Sequence, residues 1–211
     1  MPRQDDYKNA FKLAASEMQE KDPLEVSRLS LAEYDEKKNL FLLDFIGRPH
    51  AVTFPEVTVR YTDSDQEPPI TEQVLILHYL NQAQGTPFRN ELITYREVPA
   101  GEFYYSAFFK RAEAPMLSVF GQDPDLLLKT GPQIGAEPVP NQGDAAVKIR
   151  ALPRVPVTLV IWGGDEEFEP SGKILFDRSV SDYLSTEDIA WVSGMIVYRL
   201  MRLASQPGGE K

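Results

Sequence analysis

Cysteine is absent from the 211-residue sequence. That excludes disulfides, thiolate catalysis and any iron–sulfur cluster or cysteine-type zinc site ligated by this chain itself. Histidine is scarce: His50 and His78 are the two available side chains whose ordinary titration lies near neutrality. No apolar run approaches the ~20 residues needed to span a bilayer. The start, Met1-Pro2-Arg3-Gln4-Asp5-Asp6-Tyr7, lacks the basic segment and apolar core of a secretory leader. The expectation is a cytoplasmic protein with no membrane partner. Positive charge is also short, 22 Lys+Arg against 32 Asp+Glu for a net charge of -10. The densest cation pairs, Lys37-Lys38 and Lys110-Arg111, are bracketed by acids, so no basic face for a nucleic-acid partner is expected. There is no Gly-x-Ser-x-Gly elbow, P-loop or dinucleotide-type glycine pattern, which leaves the common nucleophile and glycine-loop nucleotide classes unsupported.

What is present reads as an α+β protein in a single domain over 1–211, long enough to bury a full core without staples. Tyr7, Ala10, Phe11, Ala14, Ala15 and Met18 recur at three- and four-residue spacing, giving an N-terminal helical region at 5–28. From Leu29 the period shortens. Leu40 to Ile46, Ala51 to Phe54 and Val57 to Tyr61, broken by Gly47-Arg48-Pro49 and Pro55, predict an antiparallel meander. Residues 71–80 read as a buried helix with Thr71 as its N-cap, followed by a strand near 91–98. Residues 101–111 read as an aromatic helix that Ala114-Pro115 interrupts. A Pro-, Gly- and Asn-rich stretch at 131–143 is expected to be a flexible connection. Strands return at 145–152 and 155–162, and a hairpin partner at 173–176 makes a C-terminal hairpin. A long helix from about Thr186 to Leu203 follows, capped by Ser185 or Thr186, and then a disordered polar tail at 206–211.

The densest knot of chemistry is Gly163-Gly164-Asp165-Glu166-Glu167-Phe168. Its glycines and acids resemble the Gly-Gly-Asp/Glu-Glu-Phe signature of diguanylate cyclases, but one extra acid separates Asp165 from Phe168 and the cyclase's upstream motifs are missing. Crowded carboxylates raise one another's pKa or recruit a hard cation. A divalent-cation site built from Asp165, Glu167 and Asp177, with Glu166 beside it, is therefore one expectation; a solvated turn is the other. His78 and Tyr79 on the buried helix, Tyr104 beside the stripe of Tyr105, Phe108 and Phe109, and Trp162 at the strand end complete the candidate ligand-binding set.

A longer pattern carries a family resemblance: His78-Tyr79-Leu80 with Ala83 and Gly85; Thr94-Tyr95-Arg96-Glu97-Val98-Pro99 before Gly101 and Tyr105; Gly143-Asp144-Ala145-Ala146; Pro153; the 162–168 turn; Ile174-Leu175-Phe176-Asp177; and Tyr183-Leu184. In these the chain resembles an uncharacterised prokaryotic family of unknown function found mainly in anaerobic bacteria and archaea. The resemblance implies association with iron–sulfur modules or corrinoid and one-carbon metabolism. It points to a non-catalytic or accessory ligand- or cofactor-binding domain with a small-molecule ligand or an iron–sulfur or corrinoid protein as partner, any corrinoid being supplied by that partner. Two alternatives stand beside it: a divalent-cation-dependent hydrolase or transferase using the 165–177 acids, and an acidic protein-interaction adaptor.

Overall fold

A computed structural model describes residues 4–206 and has the expected α+β architecture, with two antiparallel sheets in place of one. Helices α1 (Gln4–Gln19) and α2 (Pro23–Ser30) open the chain. Asp22 caps α2 by accepting from the Leu24 amide at 3.0 Å, and Pro23 sits where its missing N–H costs nothing.

The meander forms the first sheet: β1 (Glu33–Asp35), β2 (Leu40–Phe45), β3 (Arg48–Thr53) and β4 (Val59–Tyr61), in that spatial order. Between β2 and β3 only Ile46 and Gly47 turn the chain, both with positive φ (49° and 69°), as a tight hairpin matching strand twist requires. A Cβ on Gly47 would lie 2.2 Å from the Ile134 carbonyl oxygen, so the position accepts only glycine.

Helix α3 (Ile70–Gln82) follows, starting one residue before the expected Thr71 cap, with Pro69 at that position. The strand expected near 91–98 is shorter. Only β5 (Leu92–Thr94) is extended, because Glu97 folds back onto the Thr94 amide at 2.8 Å and closes a 3-10 turn over Tyr95–Glu97.

Helix α4 (Gly101–Phe108) does not stop at Ala114-Pro115 as expected. It passes through a π-helical segment, Phe109–Glu113, into α5 (Ala114–Phe120). Pro115 has no N–H and its ring would strike the carbonyl of residue 111 in a regular helix. Widening that turn, with the Ala114 amide bonding to the Phe109 carbonyl, accommodates it. Helix α6 (Pro124–Thr130) is next. The 131–143 stretch, expected as a flexible connection, carries a 3-10 turn (Gly131–Ile134), the edge strand β6 (Glu137–Pro138) and the buried Ile134 and Ala136.

Strands β7 (Ala145–Leu152), β8 (Val155–Trp162) and β9 (Ser171–Asp177) complete a second sheet of order β5-β9-β8-β7-β6. The Ile46 amide donates to the Ala151 carbonyl at 2.8 Å and ties the two sheets together. Helix α7 (Thr186–Ala204), capped by the Ser185 hydroxyl, buries Ile189, Val192, Ile196, Val197 and Leu200. Beyond Gln206 the expected polar tail lies outside the described residues. Among the described residues no helix is long and apolar enough to cross a membrane.

Candidate functional site

The residues singled out in the sequence fall in four separate places. Asp165 spends its carboxylate on its own turn: Oδ1 accepts from the Glu167 amide at 2.8 Å and the Phe168 amide at 2.7 Å. Glu166 and Glu167 are exposed, and Trp162 at the turn's base is 40% exposed. Asp177 lies at the other end of β9, since Ser171 pairs with Trp162 while Asp177 pairs with Leu92. Six residues of strand put it about 20 Å from the turn.

There Asp177 accepts from the Arg89, Asn90 and Ser179 amides and from the Ser179 hydroxyl. Burial pushes its pKa up, but these donors outweigh burial and hold it below the usual carboxylate value. The expected cation site of Asp165, Glu167 and Asp177 is thus corrected: strand geometry separates its members. Among the described residues no group of three or more acids and histidines is placed to hold a metal ion.

His78 and Tyr79 point different ways from one helix, as neighbours must. His78 Nδ1 is 3.0 Å from Asp188 Oδ1 on α7, and this bond raises its pKa against the opposing effect of burial. Tyr79 is fully buried; its hydroxyl donates to the Ser30 carbonyl and accepts from the Arg154 amide, a structural clasp with no face left for a ligand. Tyr104 is 52% exposed and meets Phe103 edge to face. The acidic turn and His78-Tyr79 do not come together, because Tyr79 binds the β7–β8 turn and the acids crown the opposite end of the same sheet.

A large open hollow lies elsewhere. About 1090 Å³ lies between α1, the β2–β3 turn, the end of β4, the first turn of α3, the π-helical segment and α7. Helix α7 supplies Trp191, Gly194, Met195, Tyr198, Arg199 and Arg202 at successive three- and four-residue steps, which is one helical face. The π-helical segment adds Lys110 and Arg111, and the β2–β3 turn delivers Arg48. Five cations therefore line one concavity in a chain of net charge -10, against a single carboxylate, Glu72.

Arg48 is engaged, bonded to Asp63 at 2.9 Å with its guanidinium 3.2 Å above the Tyr61 ring. Lys110, Arg111, Arg199 and Arg202 form no ion pair among the described residues. Arg199 donates to the Ile46 carbonyl at 3.0 Å, and Arg111 stacks 4.5 Å over Trp191, whose ring takes Tyr7 edge-on at 5.7 Å. Gly194 makes room for this: a Cβ there would sit 2.9 Å from Arg111 Cγ.

At the hollow's β-sheet end, Glu72 is 9% exposed and held by His50, which is fully buried. His50 Nδ1 is 2.8 Å from the Arg48 carbonyl oxygen, which can only accept, so Nδ1 carries a hydrogen; Nε2 is 2.7 Å from Glu72 Oε1. Tyr61 stands beside this pair. Burial first, then the charge of Glu72 and a side-chain hydrogen bond to it, raise its phenol pKa.

Of the comparisons with known proteins, one matches. A family model described as Domain of unknown function (DUF3786) aligns with residues 22–199, most of the chain. The chain belongs to this family. No curated protein and no solved structure matches it.

The hollow of this DUF3786 domain escaped the sequence reading, which treated its cations as scattered. They come from β3, the π-helical segment and α7, and only the fold brings them together. One signal was present: after the buried stripe of α7 is assigned, Trp191, Tyr198, Arg199 and Arg202 remain on an adjoining face too aromatic and too basic for an ordinary solvated surface. The π-helical turn was a second locus, since such turns gather at functional sites, but nothing in Phe109–Glu113 announces it before the helix is seen to continue through Pro115.

Proposed function

We propose that this DUF3786 domain binds an anionic small molecule with a planar portion in the hollow between α7, the π-helical segment and the β2–β3 turn. One observation carries the reading: four cations that form no ion pair among the described residues converge on one concave surface of an acidic protein. Like charges brought together cost folding free energy unless something neutralises them. Thirty-two acids were available to do so and only Glu72 is on the lining. Guanidinium groups are suited to phosphate and carboxylate oxygens, and the Trp191, Tyr61, Tyr7 and Tyr198 rings offer faces and edges to a flat moiety. The volume suits a ligand of cofactor size.

An accessory role in anaerobic one-carbon or corrinoid metabolism, in the cytoplasm and beside a partner carrying an iron–sulfur centre or corrinoid, belongs to the same proposal, supported by the sequence resemblance alone. The experiment is calorimetric titration with pyrophosphate at low and at high salt. Binding that weakens with ionic strength supports the anion site; no heat and no thermal shift at millimolar pyrophosphate removes it.

A further inference from the structure

We propose that the hollow takes an elongated ligand with an acidic group at each end of a flat, apolar middle, in preference to a compact anion. The inference rests on the anion-binding reading above and adds the shape of the ligand and the spacing of its charges.

The cations fall into two groups, ordered by what α7 touches along its length. At the N-terminal end of its lining face, the Arg111 guanidinium lies 4.5 Å over the Trp191 ring, and Lys110 comes from the same π-helical segment. Toward the C-terminal end, Arg199 donates to the Ile46 carbonyl at 3.0 Å, and Arg202 follows about a turn later. Ile46 belongs to the β2–β3 turn, which also delivers Arg48 over the Tyr61 ring. Trp191 and Arg199 stand just over two turns apart, on the order of 10 Å along the helix axis.

The strip between the two groups is uncharged. There α7 presents Gly194, Met195 and Tyr198, a bare stretch of backbone flanked by a thioether and a phenol ring. Such groups suit a flat apolar body. The carboxylates beside the C-terminal group are engaged: Asp63 holds Arg48, and Glu72 is bonded by His50 and by the Tyr61 hydroxyl. Arg199 and Arg202 form no ion pair among the described residues, and neither do Lys110 and Arg111 at the other end.

A compact anion reaches one group at a time and leaves the like charges of the other as they were. A molecule long enough to touch both answers both. Once its first acid is seated, the second contact is intramolecular, so it adds affinity at little further cost in freedom. Flat dicarboxylates and flat bisphosphates are the chemical class that meets this requirement.

The test is calorimetric titration of the intact chain with a set of phosphonates beside pyrophosphate. In para-biphenyl bisphosphonate the two acids stand about as far apart as the two cation groups. The para-biphenyl monophosphonate keeps the flat body and loses one acid; para-phenylene bisphosphonate keeps both acids and brings them closer. The biphenyl bisphosphonate should bind roughly tenfold or more tightly than either of the others, because it gains one further charge-assisted contact. Lys110→Ala and Arg202→Ala, one in each group, should each weaken it by roughly fivefold or more. If pyrophosphate binds but the biphenyl bisphosphonate shows no advantage over the other two phosphonates, the two-ended reading is overturned and the anion site stands. An effect of only one of the two variants overturns it as well, since both acids would then sit in one group. If neither pyrophosphate nor any phosphonate binds, both readings fall together. The wild-type series decides the matter even if a variant folds poorly.

Discussion

Two charged regions of this molecule make opposite statements. In the 163–170 turn, carboxylates adjacent in sequence are released to water; the one that is used, Asp165, serves its own backbone. In the hollow, cations remote in sequence are drawn together, and four of them have no acidic partner among the described residues. Charge crowded along a chain relaxes by turning outward, so its density says little about binding. Charge crowded by folding is held against its own repulsion, and that cost points to a ligand.

The strongest way to break this contrast is charge reversal. Lys110→Glu combined with Arg202→Glu alters two exposed side chains that form no ion pair among the described residues, and leaves the core intact. Charge-assisted hydrogen bonds contribute about 1.5–3 kcal/mol each, so pyrophosphate affinity should drop about a hundredfold or more. The melting temperature should hold or rise, because repulsion among the cations is relieved. The matched control, Glu166→Gln with Glu167→Gln, should move neither quantity, and calcium should not shift its melting temperature or that of the wild type. A calcium shift in the wild type that the control loses would make the turn a site after all.

The second effect in size separates the two acids once assigned to one centre. Asp177→Ala would strip an acceptor from two amides before β5 and from the amide and hydroxyl of Ser179. Unmet buried donors cost about 1–3 kcal/mol, so denaturant unfolding should show a loss near the top of that range. Glu167→Ala should fall within about 0.5 kcal/mol of wild type, as exposed substitutions do. Equal losses would mean that Glu167 has a partner in solution.

How much of this could be read in advance depends on the range of the interaction. The meander, the β8–β9 hairpin and α7 follow from periods of two and 3.6, and Ser185, with Asp188 just beyond it, marks the start of α7. These are local facts, and the sequence shows them. Asp177 was misjudged because an acid at the end of an apolar strand looks the same whether it faces a cation or caps the next turn; its partners Arg89 and Asn90 lie far back in the chain. His50 was given no role for the same reason, since nothing near it in sequence foretells Glu72. The family resemblance agrees with the matched family model in pointing to a domain of unknown function, yet its quoted motifs avoid every cation of the hollow.

A smaller perturbation sharpens how the hollow is built. Gly194→Ala places a methyl 2.9 Å from Arg111 Cγ, an atom of a flexible side chain, and 3.5 Å from the Arg111 carbonyl, which is ordinary contact. The helix gains up to about 1 kcal/mol from replacing glycine, so stability should be unchanged or improved. Arg111 must swing off Trp191, and pyrophosphate binding should weaken by roughly three- to tenfold, the equivalent of about one modest hydrogen bond. Indole fluorescence is a weak reporter here because the chain has two tryptophans; calorimetry is the measurement. Unchanged affinity would show that Arg111 is not among the ligand's contacts.

The least effect is expected from the histidine that has a partner. The Asp188 hydrogen bond raises the pKa of His78 above its ordinary value, with burial opposing and the charges of Asp188, Glu17 and Glu187 assisting. A group whose folded pKa is raised adds stability that is fully present below its unfolded value, about 6.5, and is lost as pH rises through the folded value. The melting temperature should therefore carry a shallow downward component from near pH 6 upward, and His78→Gln, which can still bond Asp188, should remove it. His78 is partly exposed, so water screens the pair and the amplitude should stay below about 1 kcal/mol. Pyrophosphate binding should be unaffected, because His78 is not on the lining of the hollow. A pH slope that persists in His78→Gln would assign the proton to another group.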